Sequence, residues 1–157
     1  MVINNDRRNP YQHWLAIVIV LTIVILDQVS KYAIRTNFEL YESVAVIVGS
    51  FNLTYIENTG AAFGFLSNVS FPFKTTILAL AATIALLFIA FYMVTLPSSQ
   101  WIARTGLSCI LGGAMGNLID RITTGAVVDF IDLYWRGWHF WAFNVADTAI
   151  TVGVIMM

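Results

Sequence analysis

Three long apolar runs set the outline of the chain. They extend from about Trp14 to Ile34, from about Phe73 to Leu96 and from about Trp101 to Ile119. Each approaches the roughly 20 residues that a helix needs to cross about 30 Å of hydrocarbon. The first is broken in its second half by Asp27 and Lys31, while the second carries no charge after Lys74. A fourth run opens near Asn144 and reaches Met157. It is too short to cross if it starts there, so the last helix is expected to continue beyond this sequence. Pro97-Ser-Ser-Gln predicts a tight turn between the second and third runs. The long connection from Thr36 to Pro72 holds a β-rich run, Val44 to Ile56, which predicts a small sheet element. Asn58-Thr-Gly-Ala-Ala-Phe-Gly follows it, and Phe63, Phe65, Phe71 and Phe73 predict an interfacial segment at headgroup depth. Gly60 and Gly64 would let this connection move as a cover. The connection from Asp120 to Phe143 is polar, with Trp135, Trp138 and Trp141 suited to a membrane–water boundary. The expected fold is an all-α membrane protein. It is a four-helix transmembrane bundle with a small extracytoplasmic β-element and an interfacial helix, and residues 1–157 form one membrane-embedded domain.

Composition agrees with that pattern. The 157 residues are 59% hydrophobic and 11% charged, against about half and about a quarter in soluble domains. Arg7 and Arg8 precede the first run as in a signal peptide, but no small-x-small cleavage site follows, so the run reads as a retained span. The same arginines favour cytoplasmic termini, which puts both long connections on the outer face. Lys31, Arg35, Lys74, Arg121 and Arg136 on that outer side weaken the charge rule. A net charge of −1 gives no basic field for nucleic acid. The single cysteine, Cys109, excludes an internal disulfide framework.

Candidate chemistry lies where charge meets hydrocarbon. An ionisable group there costs roughly 2.5–3.5 kcal/mol on insertion scales. Asp27, Lys31, Asp120, Arg121, Asp129 and Asp147 all approach the same outer face under this topology. Asp27 and Lys31 are four apart and share a helix face; a structural ion pair and a substrate-orienting pair both fit. Gly112 and Gly116 have the spacing of a close helix contact. Asn117 and Arg121 also share a face and are expected to bond inward, with Asp120 as an interfacial helix-end charge. Asp129 sits in apolar Val127-Val-Asp-Phe-Ile, and Asp147 opens the fourth run in Phe143-Asn-Val-Ala-Asp. Two readings stay open for these aspartates. They are caps or interfacial charges, or they meet, share a proton and hydrolyse peptides as an acid–base dyad. Asn144 either orients a carboxylate or caps the fourth helix. No HExxH zinc motif and no GxGD sequence is present, and His13 and His139 fall on opposite sides. No metal or cofactor is expected.

Five ordered blocks carry a resemblance. They are Asp27-Gln-Val-Ser-Lys31, Asn58-Thr-Gly-Ala-Ala-Phe-Gly64, Gly112-Gly-Ala-Met-Gly-Asn-Leu-Ile-Asp-Arg121, Val128-Asp-Phe130 and Phe143-Asn-Val-Ala-Asp147. Together they resemble lipoprotein signal peptidase, also called signal peptidase II, of bacterial inner membranes. The resemblance implies an aspartic endopeptidase acting on prolipoproteins that carry diacylglyceryl on a cysteine, with cleavage just before that cysteine. It implies a monomer among membrane lipids, a site toward the periplasmic face, and globomycin in the same cleft. The family's dyad falls on Asp129 and Asp147. Asp27, Lys31, Asn58, Asn117, Arg121 and Asn144 match polar positions that line or support its site. One departure is Trp141, where members often have proline. The rival class is a small proton or ion translocator using the same carboxylates as a relay.

Overall fold

The computed structural model describes residues 10–60, 69 and 72–157. In chain order these form α1 (Pro10–Asn37), β1 (Ser43–Ile47), β2 (Phe51–Asn58), α2 (Lys74–Thr95), α3 (Trp101–Thr123), β3 (Val127–Trp135), β4 (Trp138–His139) and α4 (Val145–Ile155). The expected interfacial helix, and Gly64 with it, lies outside the described residues.

Three helices, within α1, α2 and α3, are long and apolar enough to cross a membrane. The fourth has 11 residues, about 16 Å of helix, and is short of a full crossing. No residue of α2 is fully buried; one half-covered stripe packs on α3 and the rest of its apolar surface faces outward, as it does where lipid is the solvent. The third helix is central and packs on α1, α2 and α4. Small residues allow this. A Cβ on Gly112 would lie 2.9 Å from Ile23 Cβ of α1, and one on Gly106 would lie 2.8 Å from the Gly153 carbonyl of α4. In lipid, such backbone proximity supplies the dispersion contacts that hold helices together. Arg104 ties the α2–α3 turn, its Nη2 donating to the Leu96 carbonyl at 2.8 Å.

The four strands form one antiparallel ladder in the order β1-β2-β3-β4. The expected β-element of Val44 to Ile56 is the β1–β2 pair. The sheet is larger than the small β-element expected, because the connection from Asp120 to Phe143 also contains β3, nine residues long. Its first four residues are all buried. Val128 and Phe130 join Ile34 in an apolar cluster with Phe38, Leu53 and Val145, while the Asp129 carboxyl meets Asn58 and Asn144. A strand covered on both faces loses the alternation that marks strands in sequence. The sheet thus closes over one end of the helices.

Candidate active site

Charge is gathered at that end by α1 and α3. Lys31 Nζ is 2.8 Å from Asp27 Oδ2 and 2.8 Å from Asp120 Oδ2, and all three side chains are fully buried. Arg35 adds a second cation, 3.3 Å from Asp120 Oδ1. Asp27 and Lys31 do pair, one helical turn apart. Asp120 is not the interfacial charge expected of it. It lies inside, between Lys31 and Arg35, and accepts the Val128 amide at 3.4 Å. The reason is that hydrocarbon tolerates the Lys31 ammonium only if carboxylates surround it. Asp27 serves a second purpose: its Oδ1 accepts the Ala146 amide at 3.0 Å, one of the free N–H groups at the start of α4.

From this cluster a chain of hydrogen bonds leads to the two candidate aspartates. Lys31 Nζ donates to Asn117 Oδ1 at 2.9 Å, and Asn117 Nδ2 donates to Asp147 Oδ1 at 2.8 Å. The ammonium therefore fixes which end of the Asn117 amide faces Asp147. Asn144 is the N-cap of α4 in a reciprocal capping box. Its Oδ1 accepts the Asp147 amide at 2.9 Å and its own amide donates to Asp147 Oδ2 at 3.3 Å. The same residue reaches the other carboxylate, Nδ2 donating to Asp129 Oδ1 at 2.7 Å. Asn144 thus caps the helix and orients a carboxylate at once. Asn58 pairs with Val127 across the β2–β3 ladder, and its side chain reaches diagonally to donate to Asp129 Oδ2 at 3.0 Å.

Asp129 and Asp147 line one cavity of about 570 Å³, together with Asn58, Asn117 and Arg121. The remaining lining is largely apolar and includes Phe140, Trp141 and Ile150. Arg121 donates to the Gly60 carbonyl at 3.0 Å and to the Asn117 carbonyl at 3.2 Å, which ties the β2–α2 connection to α3. Burial pushes the Asp129 carboxyl from 3.8 up to about 7, and the Asp147 charge adds to the rise. Hydrogen bonds from Asn58 and Asn144 and the Lys31 charge work against it. One proton near neutrality can therefore reside on this pair.

All eight residues singled out in the sequence gather at this end of the fold. Sequence reasoning missed Gln28 and Arg35 as members of the cluster. Gln28 Nε2 lies 3.1 Å from the Gly116 carbonyl and 3.3 Å from Asp120 Oδ1. Its place inside the Asp27–Lys31 block was the available signal, since a polar side chain one residue from a buried ion pair needs partners of its own.

The chain matches the family described as signal peptidase (SPase) II over residues 19–157. That match covers most of the chain, from the middle of α1 through α4. The chain belongs to the signal peptidase II family. It is 44% identical over 139 residues to a lipoprotein signal peptidase of Geobacter sulfurreducens, covering 88% of this chain and 86% of the relative. It is also 44% identical over 135 residues to one of Syntrophus aciditrophicus, covering 86% and 84%. A solved bacterial membrane enzyme superposes with a TM-score of 0.79 at 37% identity, covering 90% of this chain and 84% of that one. The chain is an aspartic peptidase that removes signal peptides from prolipoproteins, and the translocator alternative is not favoured.

Proposed function

We propose that Asp129 and Asp147 are the catalytic pair and that cleavage falls just before a diacylglyceryl-modified cysteine. The observation that carries this reading is the cavity that both carboxylates line, with Asn117 and Asn144 bonded to them, Arg121 beside them in the lining and apolar walls beyond. Asp129, protonated up to about 7, is the acid that donates to the scissile carbonyl oxygen. Asp147, which accepts N–H donors at the positive end of α4, is the base that takes a proton from the attacking water. The hydroxide adds to the carbonyl carbon. Collapse of the resulting diol breaks the C–N bond as a proton passes to the amide nitrogen, releasing the signal peptide with a new carboxyl terminus and the cysteine with a free amine. Asn117 and Asn144 hold the two carboxylates in place. Asn58 and Arg121 line the cleft, and Asp27 with Lys31 supports Asn117 and α4.

The same reading makes residues 1–157 one membrane-embedded peptidase domain, with the four helices as a transmembrane bundle. The domain is monomeric among the lipids of a bacterial cytoplasmic membrane. The aspartate end faces the periplasm, where a lipidated substrate presents its cysteine near headgroup depth. A reconstituted cleavage assay with lipidated and unlipidated prolipoprotein tests it. Asp129→Asn and Asp147→Asn should each abolish cleavage while the protein still inserts and accumulates. Retained turnover by either variant removes that aspartate from the mechanism, and equal cleavage of unlipidated substrate removes the lipid requirement.

A further inference from the structure

One wall of the aspartate cavity is formed by Phe140 to Phe143, and this segment has little structure of its own. Its backbone is tied at its ends. The Phe140 amide donates to the Leu133 carbonyl at 2.8 Å, and Phe143 exchanges bonds with Ile131 at 2.8 and 3.1 Å. Between those ties, Trp141 and Ala142 make no backbone hydrogen bond among the described residues. The strand that leads into the segment, β4, has only two residues. It follows a turn of two left-handed residues, Arg136 at φ 52° and Gly137 at φ 80°. Two ladder residues on an outer edge hold a chain weakly.

His139, the last residue of β4 and the chain neighbour of Phe140, adds a side-chain tie at the start of this wall. Its Nδ1 lies 2.8 and 3.0 Å from the two oxygens of Asp132. A carboxylate only accepts, so Nδ1 carries the hydrogen. The imidazole also stacks on Tyr134, with ring centres 4.9 Å apart and 11° between planes. Both partners are themselves held by the first hairpin. Asp132 accepts from Asn52 Nδ2 at 2.9 Å, directly opposite it on β2, and the Tyr134 hydroxyl accepts the Gly49 amide at 2.8 Å. One side chain therefore connects the cavity wall to the β1–β2 pair through two independent contacts.

We infer that His139 is a positioning residue for substrate, holding the Phe140–Phe143 wall in its binding shape from outside the cavity. This rests on the reading that the cavity takes the scissile segment. A hydrogen bond from a half-exposed side chain adds little to global stability, and the His139 side chain is about half exposed. Its loss therefore falls on the wall and not on the fold. The aspartates, held by α4, Asn117 and Asn144, stay in place, so the chemical step is preserved while binding weakens.

Steady-state kinetics of the full chain in lipid bilayers, with lipidated prolipoprotein, test this. His139→Ala should raise KM about tenfold, the equivalent of one lost good contact, with kcat within about twofold. His139→Asn places an amide N–H where Nδ1 stood and should recover most of the loss. Asp132→Ala should match His139→Ala, and the double variant should be no worse than either alone. An unchanged KM in folded His139→Ala, or a loss confined to kcat or to the folded fraction, overturns the inference. So does failure of His139→Asn to improve on alanine. Asp129→Asn in the same assay keeps the two readings apart. Cleavage by that variant sinks the assignment of the site, whereas a dead Asp129→Asn beside a normal His139→Ala sinks only the role of the histidine.

Discussion

Replacing Lys31 by methionine is the sharpest perturbation of this structure. Its ammonium touches Asp27 at 2.8 Å, Asp120 at 2.8 Å and Asn117 at 2.9 Å, and the Lys31, Asp27 and Asp120 side chains are fully buried. The cluster balances two carboxylates against Lys31 and Arg35, and of the two carboxylates Arg35 pairs with Asp120, from a quarter-exposed position. Methionine fills the volume but leaves Asp27 with no cation and the buried group with a net negative charge. Breaking a buried pair from one side costs about 3–5 kcal/mol, or roughly two to four powers of ten in the unfolding equilibrium. Equilibrium unfolding in detergent micelles, followed by circular dichroism, measures it. The decisive comparison is the double variant Lys31→Met with Asp27→Asn. The amide carries no charge to strand and can still accept the Ala146 amide, so the second substitution should return part of the loss, by about 1–3 kcal/mol of coupling. A Lys31→Met protein that loses less than about 1 kcal/mol, or two losses that simply add, would show that this cluster is not the electrostatic unit described above.

The pH dependence follows from Asp129. The folded carboxyl holds its proton up to about 7 while the unfolded one loses it near 3.8. The native state thus binds more protons across that window, and stability falls as pH rises through it. Cleavage should likewise decline above about pH 7 as the shared proton leaves, and a rate that keeps climbing through pH 9 would contradict the assignment of Asp129 as the acid. Asp147→Asn removes a repelling charge, so the Asp129 carboxyl band in infrared titration should move to lower pH; no movement would mean that the two groups do not sense each other. Gly113→Ala places a Cβ against the Ala146 carbonyl group and 2.8 Å from Ile150 Cγ1. That pushes the start of α4, and Asp147 with it, away from α3. A displacement approaching 1 Å should lower kcat about a hundredfold, and a folded variant with kcat near that of the parent protein would refute the tight α3–α4 contact.

The sequence by itself determined what depends on neighbours along the chain. Apolarity summed over some 20 residues marked α1, α2 and α3, because transfer into lipid is additive and local. One helical turn brought Lys31 to Asp27, and the Asn144–Asp147 spacing is that of a capping box, so α4 started where its first polar residues said it would. Tertiary structure decided the rest. The first half of strand β3 is buried on both faces and shows no period-two pattern, so its pairing with β2 is what reveals it. Asp120 looked like a helix-end charge until packing of α1 on α3 brought Lys31 against it. Asp129 and Asp147 belong to a strand and a helix with a hairpin between them, and they share a cavity only because β3 closes over the helix ends. Side-chain placement across elements is governed by packing and desolvation, which act between residues distant in sequence and leave no period for a linear reading to find.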